Sequence, residues 1–330
     1  MFLLCSRVSI ISGLRPSSLM TGEGVDPMKK IVVSSLAALA ISTGSALAAD
    51  PPKWDFAAGA GLVSDYLFRG VTQSNHKPSF NAYLEPRYNI NPNLQIYAGV
   101  GFETIRFAND ANSEVDFYGG IRPTIGKLAM DVGVWYYYYP GGHCYNIAAF
   151  GCTGALPNGN VIKKDVSFWE IYFKPTYNFS DSFAFGATFF YSPSFLNSGA
   201  PGEYLSVVAK YTFPAMKNGI QFYASGEFGR QWLGTSDSFY GVTGFPNGIN
   251  YADYNTWNLG LGWTYKVFTV DLRYTDTDLS KADCNAFTSD HTASGIATSP
   301  INPSPAPGSN WCGARFTAKL SVDITSTSFK

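Results

Sequence analysis

Between Ser79 and Ile90 the chain alternates without a break. Phe80, Ala82, Leu84, Pro86, Tyr88 and Ile90 fall on one parity, and Ser79, Asn81, Glu85, Arg87 and Asn89 on the other. A period of two belongs to a β-strand with one apolar and one polar face, and this run exceeds the usual length of a globular strand. A helix would scatter the same residues around its whole circumference. The alternation recurs over 54–62, 94–103, 114–125, 128–134, 169–177, 183–191, 205–213, 220–228, 257–265, 268–274 and 314–324, which predicts about twelve strands in all.

The connections carry the next constraint. Short turns at 91–93, 126–127, 178–181, 214–219 and near Lys266 alternate with longer loops, and both ends of the chain fall on the short-turn side. A soluble sandwich or lipocalin has no reason to keep its long loops at one end. An even number of strands, short periplasmic turns and long extracellular loops define a transmembrane antiparallel up-and-down β-barrel, whose closed sheet leaves no backbone edge facing lipid. Composition agrees. The chain is 16% aromatic and 14% charged with 33 Gly, whereas soluble domains carry roughly 25% charged residues. Its 23 Lys and Arg against 24 Asp and Glu give no electrostatic case for nucleic acid.

The barrel is expected over residues 49–330. Ahead of it, Met28-Lys29-Lys30, the apolar run Ile31 to Ile41 and the small-residue site Ala46-Leu47-Ala48 form a secretory signal peptide over 28–48. Residues 1–27 read as an extension upstream of the true start at Met28. Of five cysteines, Cys144, Cys152, Cys284 and Cys312 lie beyond the leader. In an exported chain four cysteines point to two disulfides in any of three pairings. Chain order favours Cys144 with Cys152 and Cys284 with Cys312. No spacing typical of a metal site competes, so no metal and no cofactor is expected.

Between the first two strands, Ser64-Asp65-Tyr66, Phe68-Arg69-Gly70 and Thr72-Gln73 follow a glycine-rich first strand. This segment resembles the TorF family of porin-like outer-membrane barrels. The resemblance implies an outer-membrane location and a channel, and beyond this short motif it is architectural. A barrel of that family would end on an aromatic residue, whereas here Phe329 is followed by Lys330.

The polar parity predicts what faces the lumen. Acidic candidates are Glu85, Glu103, Glu114, Asp116, Asp131, Glu170, Glu227, Asp271 and Asp323. Basic candidates are Arg87, Arg122, Lys174, Lys210, Arg273, Arg315 and Lys319. Mixed signs in near balance predict weak charge selection, because pores select with rings of one sign. Twelve strands lie between the filled eight-stranded barrel and the open sixteen-stranded one, so a narrow channel for small hydrophilic solutes is favoured over a lumen plugged by its own salt bridges. Asp65 and Arg69 either act as constriction charges at the mouth or pair with each other or the backbone to hold a turn, with Tyr66 and Phe68 as membrane-interface anchors. Trp135 and Tyr136 to Tyr139 are expected to form part of an aromatic girdle, with an aromatic core cluster as the alternative. The histidines, His76, His143 and His291, all fall in loops, and without one on a rigid element beside a serine no enzyme is expected. The alternative to a channel is a non-conducting barrel whose disulfide-closed loops bind a partner. Outer-membrane lipid is the expected surroundings, and the oligomeric state is not legible.

Overall fold

The computed structural model describes residues 51–242, 244–299, 301 and 306–329. The leader readings over 1–48, part of the proline-rich stretch and Lys330 lie outside these residues. Twelve strands close into one antiparallel barrel in which each strand pairs with its sequence neighbours and the last returns to the first. They are β1 (Trp54–Val63), β2 (Ser79–Asn91), β3 (Leu94–Thr104), β4 (Ser113–Ile125), β5 (Leu128–Tyr138) and β6 (Phe168–Asn178). They continue as β7 (Phe183–Ser192), β8 (Gly202–Thr212), β9 (Gln221–Leu233), β10 (Tyr254–Tyr265), β11 (Phe268–Thr277) and β12 (Arg315–Thr325). The seam runs from Ala57 opposite Thr325 to Val63 opposite Lys319. The predicted count and connection pattern are both present, with the longest loops, 139–167 and 278–314, at one end.

Parity decides which side chains face out. Leu84, Phe117, Ile171, Leu205, Phe228 and Leu261 stand exposed on the outer wall, while their chain neighbours Glu85, Asp116, Glu170, Ser206, Gly229 and Gly260 point inward and are buried. An apolar belt around the whole circumference far exceeds the patch a soluble monomer exposes, and it is satisfied by hydrocarbon. Inside, glycines make room for large rings. A Cβ on Gly99 would run into the Tyr118 ring, and one on Gly229 into Tyr204.

The aromatic run at the end of β5 corrects the girdle expectation. Only Tyr136 and Tyr138 face outward. Trp135 stacks on Tyr118 with ring centroids 4.2 Å apart, Tyr137 stacks on Phe168 at 4.5 Å, and Tyr139 is buried in the loop core. Alternation persists through an all-aromatic run, so half of it must turn inward.

The long loops fold over and into their end of the barrel. Ile105, Phe107, Phe168, Phe195, Tyr254 and Trp311 belong to one buried cluster there. A helix the sequence reading did not foresee, α1 (Lys281–Thr288), lies in the longest loop and is capped by the Ser280 side chain accepting from the Asp283 N–H. The disulfides are Cys144–Cys152 and Cys284–Cys312. At the other end β12 stops at Thr325, and Ser326–Phe329 turn as a 3-10 helix instead of lengthening the strand.

Candidate functional site

The segment 64–78 has its base at the mouth, where His76 meets Arg315. It folds into the barrel as a miniature hairpin, Leu67–Phe68 against Val71–Thr72, with Arg69-Gly70 as its two-residue turn. Both turn residues have positive φ, 50° at Arg69 and 85° at Gly70, as a type I′ hairpin turn requires. Glycine meets this requirement without strain.

At the tip, the Arg69 guanidinium donates from its two terminal nitrogens to the two Glu170 oxygens at 3.0 and 2.7 Å, and also to Gln231 Oε1 at 2.9 Å. Gln231 is held in that orientation by donating to the Glu203 carbonyl at 3.0 Å. Glu170 also accepts from the Tyr137 hydroxyl at 3.2 Å. The rings of Tyr204, Phe68 and Phe190 lie 4.5, 4.6 and 4.8 Å from the cation. The Tyr254 hydroxyl donates to the Arg69 carbonyl at 3.2 Å. One residue thereby joins β6, on one side of the lumen, to β9 through its side chain and to β10 through its carbonyl. Burial alone would lower the Arg69 pKa, but the facing Glu170 carboxylate outweighs it and the group is held above its ordinary value.

Asp65 and Arg69 do not pair with each other. Asp65 is the staple of the loop: its carboxylate accepts from Thr72 Oγ1, from Ser74 Oγ at 3.0 Å and from His76 Nδ1 at 2.9 Å, with Arg315 Nε 3.8 Å away. Tyr66 and Phe68 are not interface anchors either. Both sit inside the barrel, and the Tyr66 hydroxyl donates to Glu114 at 3.0 Å. Burial first and the Glu114 charge second push the Tyr66 pKa well up.

Nearer the short-turn end, the candidates neutralise one another. Glu85 accepts from Arg87 Nε at 2.6 Å and from Arg122 at 2.7 and 3.1 Å, and Arg122 Nε reaches Asp131 at 3.0 Å. Arg122 also covers the Tyr97 ring at 3.6 Å, whose hydroxyl meets that of Tyr172 on β6. On the other wall, Arg273 donates to Asp271 and Ser225, Asp271 accepts from Tyr223 at 2.7 Å, and Glu227 accepts from Tyr204 at 2.9 Å and Asn258 at 3.0 Å. Asp323 accepts from Tyr83 at 3.0 Å. Lys174 lies 4.4 Å from the Tyr172 ring and Lys210 4.5 Å from the Tyr223 ring. Lys319 stands opposite Asp271 in the strand register. Arg315 sits at the mouth against His76 instead of deep in the lumen. Glu103, Glu114 and Asp116 cluster on the outer part of the wall.

The sequence reading brought out the charges and missed the inward aromatics Tyr97, Tyr118, Phe190 and Tyr204, together with Gln231. Parity alone places each of them on the inner face. Among the described residues the lining offers no ring of one sign, and the hairpin inserted among them carries the buried Arg69.

A family model described as "Bacterial protein of unknown function (Gcw_chp)" matches residues 46–300. The chain belongs to this family. No curated protein matches it in sequence. Among solved structures, the Gcw_chp barrel is similar to an outer-membrane channel from Pseudomonas putida F1, with 8% identity over 92% of this chain and 100% of the other and a TM-score of 0.43. It is similar as well to a Pseudomonas aeruginosa FadL homologue, with 11% identity over 83% and 90% and a TM-score of 0.39. Vibrio cholerae OmpT gives 13% identity over 84% and 100% and a TM-score of 0.33.

Proposed function

We propose that this Gcw_chp member is an outer-membrane channel for small hydrophilic solutes, restricted at the inserted hairpin and weakly selective for charge. The observation that carries the reading is Arg69, buried and held across the lumen between Glu170 and Gln231. Behind it, the half-buried Arg122, Asp131 and Arg273 give a polar lining in which neither sign prevails. The apolar belt and the one-sided loops support a lipid location, and the Ser64–Ser74 segment's resemblance to the TorF porin-like barrels points the same way. The location across the outer membrane and cleavage of the 28–48 leader belong to the same proposal.

Planar-bilayer recording of the refolded mature chain tests it. The expected result is small, discrete conductance steps that grow when residues 66–73 are replaced by a short glycine linker, with little preference between potassium and chloride. No steps from either protein across many insertions would overturn the channel reading. That outcome would favour the second one, a non-conducting barrel whose loop cap binds a partner. The specific observation behind this alternative is an apolar cavity of about 50 Å3 in the cap, bordered by Phe107, Phe195, Phe287 and Trp311.

A further inference from the structure

The strand register sets Glu103 of β3 directly opposite Glu114 of β4, and Asp116 follows two residues later on the same inward face, opposite Gly101. Like charges at directly paired positions repel, and burial strengthens the repulsion because water no longer screens it. Here burial is nearly complete, with 6% exposure at Glu103, 1% at Glu114 and 0% at Asp116. One carboxylate oxygen from each lies within 4.8 Å of the others. Among the described residues none of the three joins a salt bridge.

The second observation concerns their hydrogen bonds. Both Asp116 oxygens and Glu103 Oε2 are buried without a hydrogen-bond partner. The Trp135 indole stands beside Asp116, but no hydrogen bond of good geometry joins its N–H to either oxygen. Glu114 is answered by the Tyr66 hydroxyl, whereas among the described residues Glu103 and Asp116 lack the arginine or tyrosine that answers Glu85, Glu170, Glu227 and Asp271. Buried charges are paired or coordinate a metal, and a fully buried carboxylate with both oxygens idle requires a ligand or a proton.

From this geometry we infer that Glu103, Glu114 and Asp116 bind a hard divalent cation of the calcium or magnesium type inside the barrel. The donor set is all oxygen, with no histidine or cysteine to favour zinc or copper. A cation here cancels the cross-strand repulsion and uses the idle oxygens. It also reaches the hairpin, because the Tyr66 hydroxyl already donates to Glu114. Occupancy therefore steadies segment 64–78 in its inserted position. This last consequence rests on the constriction reading, whereas binding itself does not.

The test uses the mature chain in detergent micelles, with terbium as the probe and calcium as the competitor. Trp135, next to Asp116, sensitises terbium emission. The expected result is saturable luminescence displaced by calcium, and affinity weakened roughly tenfold or more in Asp116→Asn. Glu103→Gln should behave alike and serves if the first variant fails to fold, with folding read from the mobility of unheated samples on gels. Calcium should also raise the unfolding temperature of the wild type and leave that of Asp116→Asn unmoved. Two results would overturn the inference: terbium binding that is absent or equal in the wild type and both folded variants, or a carboxylic-acid stretch in the infrared spectrum that persists in calcium and vanishes in Asp116→Asn. The second would show that shared protons neutralise the cluster. Loss of binding sinks the cation site and leaves the conductance test of the channel unaffected.

Discussion

Replacing Arg69 by methionine keeps the bulk of the side chain and its packing against Phe190 and Tyr204 while removing the charge. Glu170, with 0% side-chain exposure, would then lose two of its three hydrogen bonds and keep one, from the Tyr137 hydroxyl at 3.2 Å. Removing one partner of a buried pair costs about 3–5 kcal/mol, because the remaining charge stays desolvated. Every 1.4 kcal/mol is a factor of ten, so the inserted hairpin should lose about two to three and a half powers of ten in population relative to the released one. Glu170→Gln should cost less, about 1.5–3 kcal/mol, since Arg69 keeps Gln231 and gains an amide oxygen. The double variant should cost distinctly less than the sum of the two, with a coupling of roughly 1.5 kcal/mol or more, because neither charge is then stranded. Chymotrypsin cleavage after Phe68 measures the released population, provided closing is fast relative to cleavage. Cleavage of Arg69→Met at the wild-type rate, with an unchanged urea midpoint, would refute the claim that this pair holds the hairpin in the lumen.

Three further outcomes follow from other parts of the molecule. Phe173→Arg, which puts a charge on the outer face near mid-strand, should cost about 2–4 kcal/mol in lipid vesicles, measured by reversible unfolding. Gly99→Ala should displace the Tyr118 ring and lower stability by about 1–3 kcal/mol, seen as a lower melting temperature of the micellar protein. Removing the Cys284–Cys312 bridge, which spans 28 positions, should loosen the loop cap by about 3.5 kcal/mol in the chain-entropy account, against about 2.5 kcal/mol for Cys144–Cys152 with a span of 8, read from loop proteolysis.

The strands were legible because one face meets hydrocarbon and the other a polar lumen, so each of them carries its own two-residue period. Phe80 to Ile90 needs no partner to be recognised. The lumen was legible only as a list. That Glu85 answers Arg122, or that Glu103 faces Glu114, depends on register between strands, which the alternation of a single segment does not encode. The same limit hid the carboxylate cluster, whose members are unremarkable one at a time and come from two strands. Tyr66 and Phe68 misled for a different reason. An aromatic and charged loop reads as an interface anchor when its own sequence is all there is. The residues that draw it inward, at 170, 204, 231 and 254, lie more than a hundred positions away.

That separation bears on how the barrel assembles. The two-strand ladder of the 67–72 hairpin is itself local and can form early, whereas its anchors on β6 and β9 arrive with much later parts of the chain. A slip of β6 by one residue would turn Glu170 toward lipid and bring Trp169 or Ile171 inside, leaving the arginine facing an apolar wall. Seating of Arg69 is thus a register check performed across the finished cylinder, and only a correctly zipped sheet passes it.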